Sequence, residues 1–533
     1  MSVILKDLND YIAPSQACIK PVEVKKTSKD NNNVIKLDNS GEYYEVSQEG
    51  IETKLEPANI SLEDCLACSG CITSAESILI TMQSQEELYN VLKSNKQAKM
   101  DGKLEKIIVV SIAPQSRVSI ATKYGLTPLK AAKRLTHFFK SLGVHYVFDT
   151  SFSQDFSLLE SAREFVERYR KFHENRETSS FPENGSIKNN RVKRENTSSK
   201  DTTQHKSTSS KDATQHKSIS SKDATQHKNS CDICLPVLAS SCPGWICYAE
   251  KTHEFILPYI SKAKSPQQIM GSIVKDHLAS KLGAEPNNIY HVGIMMCYDK
   301  KLEASRSDFF NEGCQTRDVD CVLTTGEVVK MFEEQNFNID ESLEMPFDSF
   351  VKASQEGQLL RSPGSASGGF LEFILEYSAR ELFGITGIDV ENEQGVTIKT
   401  GRNKDFKEIS LEVDGKPLLK FASAYGFRNI QNLVRKIKSG NSPYHYIEVM
   451  ACPSGCINGG GQLKPSETIP IKDWISKVNN MYLSVNSLSP EKNEAVLNLY
   501  SEWLGGKDNP KCKKMLYTQY HAVKTITNPL AVK

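Results

Sequence analysis

The sequence predicts an α/β fold, because short apolar runs of strand type alternate with helical patterns along most of its 533 residues. The first run, residues 107–113, is rich in β-branched residues and is followed by Pro114, as expected of a buried parallel strand. A polar segment with three closely spaced cysteines precedes the alternating part, and a tract with almost no apolar residues interrupts it. We therefore expect one globular body with a small N-terminal lobe and a disordered insertion.

The elements after the first strand follow from helix start and stop signals and from apolar runs. Thr127 and Pro128 open a helical pattern over residues 129–142, and Gly143 ends it. The remaining predicted strands are 144–148, 290–296 and 444–450, and the remaining predicted helices are 156–172, 327–332 and 371–383. Residues 469–533 show helical patterns without recognisable chemistry.

Residues 174–230 form the predicted insertion, which is rich in Ser, Thr, Asn and Lys. A repeat in this tract spaces Lys200, Lys211 and Lys222 by eleven residues. That spacing can mark a right-handed coiled coil, but an apolar seam is missing, so disorder is favoured. The repeat also carries His205, His216 and His227. A His-rich tract can bind metal, although nothing rigid holds these three together.

Composition limits the classes of function and the compartment. Lys and Arg (66) almost cancel Asp and Glu (65), which argues against nucleic acid as the main partner. The first eleven residues lack a signal-peptide pattern, and no window of about 18 uninterrupted apolar residues occurs. The chain is therefore predicted to be soluble, without a membrane partner, in the cytoplasm or the nucleus. In such a reducing compartment its 14 cysteines are expected to be metal ligands or buried thiols.

A Cys-x2-Cys-x2-Cys triplet at Cys65, Cys68 and Cys71 packs three thiolates into one turn, a spacing suited to three corners of a cubane iron–sulfur cluster. Bacterial ferredoxins place a further cysteine after three more residues, but Ala75 stands there. Cys18 is the only other cysteine of this region, so the simplest set is Cys18 with the triplet around one [4Fe–4S] cluster. The alternatives are a free Cys18 thiol on a mobile tail and a zinc site completed by a histidine.

Four more cysteines stand in positions typical of ligands. Cys297 and Cys452 directly follow apolar, strand-like runs, where α/β folds gather ligands. Cys452 and Cys456 are separated by a Pro-x-Gly turn and followed by three glycines, which keeps backbone close to a bulky group and leaves N–H groups free for sulfide. A structural turn is the alternative, and an isolated cysteine beside a strand, such as Cys242, is usually a core residue.

The remaining cysteines carry weaker signals. Cys231 and Cys234 form a Cys-x2-Cys pair without a nearby partner pair, which is weak evidence for zinc or a transient cluster. Core or free thiols are expected at Cys314, Cys321 and Cys512. No Gly-x4-Gly-Lys-(Ser/Thr) phosphate loop occurs, so energy from ATP would have to come from a partner.

Six segments follow one another in an order that is typical of one family. They are Val147-Phe148-Asp149-Thr150, Ser241-Cys242-Pro243-Gly244-Trp245, Ser265-Pro266-Gln267-Gln268-Ile269-Met270-Gly271, Met296-Cys297-Tyr298-Asp299-Lys300-Lys301, the glycine-rich stretch 364–369, and Ala451-Cys452-Pro453-Ser454-Gly455-Cys456. Together they resemble the [FeFe]-hydrogenase catalytic domain, and more closely the cytosolic hydrogenase-like family called nuclear architecture related protein or nuclear prelamin A recognition factor-like. The resemblance covers residues 105–510, apart from the repeat tract, and implies a two-lobed [FeFe]-hydrogenase-like domain.

The resemblance also implies a second, buried [4Fe–4S] cluster between the two lobes. Its ligands would be Cys242, Cys297, Cys452 and Cys456. In hydrogenases the counterpart of Cys456 bridges to a diiron unit, near which Lys300 and Glu303 would lie. Hydrogenases place a proton-relay cysteine just before the first ligand, but Ser241 stands there, and a hydroxyl passes protons poorly at neutral pH. We therefore expect no enzymatic hydrogen turnover.

The leading hypothesis is a component of cytosolic iron–sulfur protein assembly that accepts [4Fe–4S] clusters from scaffold P-loop ATPases and passes them to apo client proteins. The family further implies a targeting complex that contains a WD40 propeller as a partner. The rival interpretations are an iron-only hydrogenase or related Fe–S oxidoreductase, and a structural zinc protein. The predicted organisation is an N-terminal iron–sulfur lobe at 1–104, a hydrogenase-like domain at 105–173 and 231–510, the insertion at 174–230 and a C-terminal tail at 511–533.

Overall fold

The computed structural model of the protein describes residues 34–37, 43–46, 52–54, 79–179, 234–349, 358–401 and 403–523. The strands are β1 (Val34–Leu37), β2 (Tyr43–Val46), β3 (Glu52–Lys54), β4 (Ile107–Ile112), β5 (Tyr146–Asp149), β6 (Val237–Leu238), β7 (Ile289–Met295), β8 (Phe310–Asn311), β9 (Thr316–Arg317), β10 (Cys321–Thr324), β11 (Thr397–Thr400), β12 (Phe406–Val413), β13 (Lys416–Tyr425) and β14 (Tyr446–Met450). The α-helices are α1 (Gln85–Met100), α2 (Pro114–Lys123), α3 (Pro128–Leu142), α4 (Ser151–Ser179), α5 (Pro243–Thr252), α6 (Pro266–Ser272), α7 (Ala279–Leu282), α8 (Asp299–Ala304), α9 (Thr325–Glu334), α10 (Phe370–Phe383), α11 (Phe427–Lys438), α12 (Ile471–Leu483), α13 (Glu494–Glu502) and α14 (Pro510–Leu516).

Several predictions fall outside these residues. They concern the first ligand set Cys18, Cys65, Cys68 and Cys71, the thiol of Cys231, and the repeat histidines His205, His216 and His227.

One sheet is fully parallel, with the strand order β10-β7-β4-β5. The central strand β4 places Val110 opposite Val147 of β5 and Val292 of β7. Val109 belongs to one core cluster and Val110 to another, so both faces of β4 are buried. This double burial explains why the run at 107–113 is apolar throughout instead of alternating, and it confirms the predicted strand.

The second sheet is mixed, with the order β11-β12-β13-β14-β6. Strands β13, β14 and β6 are parallel, whereas β11, β12 and β13 are antiparallel. Asp414 and Gly415, both with positive φ, make the tight turn between β12 and β13. An Asp-Gly pair between two alternating runs is a strong hairpin signal, and sequence reasoning missed it.

The two sheets share a core. Phe165 of α4 contacts Phe421 of β13 and Tyr446 of β14, with ring centroids 5.1 and 5.8 Å apart. The same apolar cluster contains Val109 of the parallel sheet and Phe370 of α10. Because α4 also packs along α10, one continuous apolar body joins the two halves of the domain.

Capping residues set the helix boundaries, and those of α3 follow the predicted signals. Thr127 caps α3 by accepting the N–H of Lys130, and Gly143 ends this helix with φ 109°. Thr324 and Glu327 form a capping box at the start of α9. The helices predicted at 156–172, 327–332 and 371–383 lie within α4, α9 and α10, with α4 extending further at both ends.

Segments at both ends of the described domain pack onto its body. The buried side-chain amide of Gln83 donates to the carbonyl of Lys301 at 2.9 Å and accepts the N–H of Val322 at 3.1 Å. Thr518 N donates to the carbonyl of Lys262 at 2.8 Å, so the strand-like segment after α14 also lies on the body. Within the described ranges, none of the helices has the length and hydropathy needed to cross a bilayer.

Candidate iron–sulfur site

Four cysteines from distant parts of the chain come together at one place: Cys242, Cys297, Cys452 and Cys456. The N–H of Ala451 donates to the Cys242 Sγ at 3.3 Å, which joins the first and third of these segments. Cys297 and Cys456 pack in one apolar cluster. The thiols of Cys242 and Cys452 each raise the pKa of Cys297, and the thiol of Cys456 raises the pKa of Cys452. Each of the four thiols therefore lies close enough to another to interact with it electrostatically. All four predicted ligands of the second set are therefore neighbours.

The strand ends explain the convergence. Cys297 lies two residues beyond β7 of the parallel sheet, and Cys452 lies two residues beyond β14 of the mixed sheet. Cys242 follows β6, which is parallel to β14, and is the N-cap of α5. Parallel strands bring their carboxyl ends to one edge, where α/β folds place ligands. The site thus draws thiols from both sheets.

Glycines let the Cys456 loop approach the Cys297 segment. Gly461 N donates to the carbonyl of Met296 at 3.0 Å. A Cβ at Gly459 would lie only 2.4 Å from the same carbonyl oxygen, a separation that real Cβ atoms do not adopt. The two segments can touch at this point only because position 459 has no side chain.

Burial dominates the electrostatics of the four thiols. It raises the pKa of Cys456 to about 12 and the pKa values of Cys297 and Cys452 well above the ordinary range. The Lys300 ammonium opposes this effect at Cys297 and Cys456, lowering their pKa values, whereas Asp299 raises the pKa of Cys297. At neutral pH the thiols therefore keep their protons until a cation replaces them.

A polar network holds the short helix α8 beside the thiols. Lys300 Nζ donates to Glu303 Oε2 at 2.8 Å and to the Ser241 carbonyl at 3.1 Å. Ser265 Oγ donates to Glu303, and Gln267 Nε2 donates to the Lys300 carbonyl at 3.0 Å. The Ser-Pro-Gln-Gln segment at the start of α6 therefore positions the helix that follows Cys297.

Comparisons with known proteins agree with this geometry. The family described as iron only hydrogenase large subunit, C-terminal domain, matches residues 106–184 and 208–460. Cytosolic iron–sulfur assembly component 3 of Mus musculus is 47% identical over 99% of this chain and 98% of its own length. Cytosolic Fe–S cluster assembly factor narfl of Xenopus tropicalis is 46% identical over 99% of this chain and 98% of its own length. This chain belongs to the family of cytosolic Fe–S cluster assembly factors.

The assembly factor is also similar to solved hydrogenases. A variant of the apo [FeFe]-hydrogenase of Chlamydomonas reinhardtii is 25% identical, with a TM-score of 0.62, over 82% of this chain and 98% of that chain. The predicted family and the predicted hydrogenase-like fold are both confirmed. Family and fold together imply that the assembly factor binds iron–sulfur clusters.

Two further segments of the predicted motif set make contacts that stabilise the site or the sheet beside it. The Asp149 carboxylate pairs with the fully buried guanidinium of Arg117, and burial lowers the pKa of Arg117 to about 10. Ser367, in the glycine-rich stretch, accepts the N–H of Cys456 at 3.2 Å, and its hydroxyl also bonds to the sulfur of Cys456. Asp149 therefore anchors the parallel sheet, whereas Ser367 touches a predicted ligand directly.

The other cysteines of the assembly factor have varied surroundings. Cys321 and Cys512 are buried, and Cys314 is partly buried. Cys247 on α5 was missed by sequence reasoning, because it lies outside the matching segment. Burial raises the pKa of Cys247 to about 12, so this thiol is protonated at neutral pH. Cys234 of the Cys-x2-Cys pair is partly buried.

The donor set fits an iron–sulfur cluster. Thiolates are the ligands that such clusters use, and N–H groups of Ala451, Trp245 and Gly460 donate to the sulfurs of Cys242 and Cys452. Hydrogen bonds of this kind tune the reduction potential of a cluster. Over the ranges that the structure describes, no group of three or more His, Cys, Asp or Glu side chains is placed to hold a single metal ion. A cubane binds each thiolate through a different iron atom, so it connects sulfurs that do not share one ion.

Proposed function

We propose that this protein is a cytosolic carrier that receives preassembled [4Fe–4S] clusters and passes them to apo Fe–S proteins. It belongs to a family of cytosolic Fe–S cluster assembly factors, which supports a role in cytosolic iron–sulfur protein assembly. The structural observation that supports the iron–sulfur part of the proposal is the convergence of Cys242, Cys297, Cys452 and Cys456 at the carboxyl ends of strands from both sheets, whereas the transfer role is supported by the family.

The proposed second cluster is a [4Fe–4S] cubane held by these four thiols. Such a cluster supplies one-electron redox chemistry, or serves as a structural unit, when bound. The chain supplies four sulfurs, backbone N–H donors and the Lys300 ammonium, which offsets part of the negative charge of the thiolates. Cys297 is buried and the other three cysteines are partly buried, and burial is the largest influence on the pKa of each thiol. These properties suit a cluster that stays in place.

The proposed first cluster is held by the N-terminal set. Its ligands would be Cys18, Cys65, Cys68 and Cys71. On the small polar lobe that the sequence predicts, a cluster would be open to attack by an incoming thiolate of a partner, which transfer requires. We therefore assign exchange to the first set and a structural or redox role to the second. Scaffold P-loop ATPases would act upstream, and a WD40-containing targeting complex with its apo clients would act downstream, in the cytoplasm and the nucleus.

We further propose that the protein does not turn over hydrogen. The Ser241 hydroxyl, which stands where hydrogenases carry a relay cysteine, is buried and has no hydrogen-bond partner among the described residues. A relay needs a continuous series of hydrogen bonds and a group that ionises near neutral pH, and this hydroxyl offers neither. The buried Lys300–Glu303 pair favours the competing hydrogenase hypothesis. Infrared bands from CO or CN bound to iron in the reconstituted protein would support that competitor.

A depletion and rescue experiment tests the carrier role. Cells depleted of the protein should lose most activity of cytosolic and nuclear Fe–S enzymes and keep that of mitochondrial ones, because only the extramitochondrial route would be blocked. Wild type and the Cys314→Ala control should restore activity, whereas Cys65→Ala and Cys456→Ala should not. Normal activity in both compartments after depletion would end the carrier proposal.

A further inference from the structure

The loop that joins two of the predicted ligands reaches the surface of the protein. Ser454, midway between Cys452 and Cys456, is exposed and has a positive φ of 61°, which is uncommon for a residue other than glycine. Its N–H donates to the carboxylate of Asp405 at 2.8 Å, which fixes the tip of the loop. This tip is therefore a point where a partner can come close to the site without any change of fold.

Helix α11 begins beside the same loop. Gly426 N donates to the Met450 carbonyl at 2.8 Å, and Phe427 contacts Ala451, the residue before Cys452. The buried face of α11 packs in the core, and its exposed face carries cations without any carboxylate. Arg428 and Arg435 lie on this exposed face, seven residues and thus two turns apart, on the same side of the helix.

The loop before β12 adds a third cation. Asn403 Nδ2 donates to Asn429 Oδ1 at 2.8 Å, which ties this loop to the first turn of α11. Lys404 is exposed and stands between Asn403 and Asp405, the residue that holds the tip. Lys404 therefore precedes the residue that holds the tip of the Cys452–Cys456 loop, and Arg428 follows Phe427, which contacts Ala451 just before that loop.

These three cations have no ion-pair partner within the part of the chain that the structure describes. Neighbouring carboxylates are already engaged, because Asp405 accepts the N–H of Ser454 and Glu408 binds the Tyr444 hydroxyl and Lys420. Across the whole chain Lys and Arg (66) nearly cancel Asp and Glu (65), so the excess of unpaired positive charge here is local. An unpaired set of this kind complements a surface that carries carboxylates.

We propose that Lys404, Arg428 and Arg435 form a docking face for a carboxylate-rich surface of a partner protein, which is thereby held against the loop between Cys452 and Cys456. This inference rests on the proposed carrier role and deepens it, because it names the chemistry of one partner and the place of its contact. Guanidinium groups bind carboxylates in a bidentate manner, which gives orientation as well as attraction. The near balance of Lys and Arg (66) with Asp and Glu (65) over the whole chain argues against nucleic acid as the occupant of this face.

Charge reversal tests the docking face in the full-length, reconstituted protein. The test variant is Lys404→Glu with Arg428→Glu, and the matched control is Lys93→Glu with Lys96→Glu on α1, which packs against the parallel sheet. The probe is fluorescein-labelled polyglutamate, followed by anisotropy at low and high salt. The test variant should bind the probe about tenfold or more weakly than wild type, whereas the control should bind like wild type. Binding by wild type should weaken with salt.

The binding of two other kinds of occupant, a nucleic acid and a lipid surface, is compared with that of polyglutamate. A single-stranded oligonucleotide or phosphatidylserine vesicles that bind wild type more tightly than polyglutamate would overturn the proposal. Equal binding of polyglutamate by the test and control variants would overturn it as well. Equal iron content and circular dichroism of the two variants confirm that folding is intact.

The docking face and the carrier role can fail separately. If depletion lowers cytosolic Fe–S enzyme activity and the test variant restores it fully while binding polyglutamate like wild type, only the docking face is wrong. If depletion has no effect on these enzymes, the carrier role is wrong whatever the probe does.

Discussion

A single glycine, Gly459, allows two segments of the candidate site to pack in direct contact. Gly459 has φ −61° and ψ 152°, an ordinary conformation for any residue, so its backbone does not require glycine. The requirement comes from space, because a Cβ at this position would meet the Met296 carbonyl oxygen at 2.4 Å and its carbon at 3.1 Å. Met296 directly precedes Cys297, so any displacement there moves a predicted ligand.

Gly459→Ala should therefore destabilise the protein by about 1–3 kcal/mol, the usual cost of overpacking, and weaken retention of iron by the second set. Gly401→Ala is the matched control, since a Cβ at Gly401 meets nothing within 4 Å. Thermal unfolding and iron analysis after a chelator challenge measure both effects. Equal stability and equal iron retention in the two variants would show that the close approach does not matter.

The sequence predicted which four cysteines come together, but it did not predict the residues that surround them. Cys297 and Cys452 could be found because each follows an apolar strand, and the ends of parallel strands gather ligands. The contact of Ser367 with Cys456 could not be found, since the two are 89 positions apart and a serine in a glycine-rich stretch has many other uses. Cys247 had no local motif, so its burial depended on tertiary packing alone.

At the scale of elements, the short helix α8 depends on its neighbours. Six residues cannot form a stable helix alone in water, so Asp299–Ala304 must be held by tertiary contacts. Gln83 provides several of these contacts: its Nε2 donates to the Lys301 carbonyl at 2.9 Å and to Ser305 Oγ at 2.8 Å. The Lys301 ammonium in turn donates to the carbonyl of Gln83 and to Glu327.

Gln83→Ala should reduce the free energy of unfolding by about 1–3 kcal/mol, because it leaves the Val322 N–H buried without a partner and removes one of the hydrogen bonds to the Lys301 carbonyl. Gln97→Ala removes an exposed amide that bonds Asp101, and it should change stability by less than about 0.5 kcal/mol. Urea unfolding of both variants gives the comparison. A Gln83→Ala protein as stable as Gln97→Ala would mean that α8 is held by its other contacts.

Element types were predictable where caps and periodicity agreed, as in α3 with Thr127 before it and Gly143 after it. The β12–β13 hairpin was missed although Asp414-Gly415 lies between two runs with strand character. Strand order was beyond sequence reasoning, because pairing of β4 with both β5 and β7 depends on contacts between distant segments.

For the whole molecule, the second predicted ligand set takes its cysteines from both sheets. Cys297 follows a strand of the parallel sheet, whereas Cys242, Cys452 and Cys456 follow strands of the mixed sheet. A cluster bound here would be a cross-link between both halves of the domain, in addition to the shared apolar core around Phe165. Ligands that bind only the native state stabilise it, so loading at this site should raise the stability of the entire domain.

Spectroscopy and melting of the reconstituted protein therefore separate the two ligand sets. Wild type should hold about eight irons, and Cys65→Ala and Cys456→Ala should each retain about four and lose different electron paramagnetic resonance and Mössbauer signals. Only Cys456→Ala should also lower the melting temperature of the domain, because only the second set ties the sheets together, while the Cys314→Ala control should match wild type. About four irons or fewer in wild type, or loss of the same signal in both variants, would show that the eight thiols do not form two independent sites. Equal melting of Cys456→Ala and Cys65→Ala would show that the site between the sheets contributes nothing to holding them together.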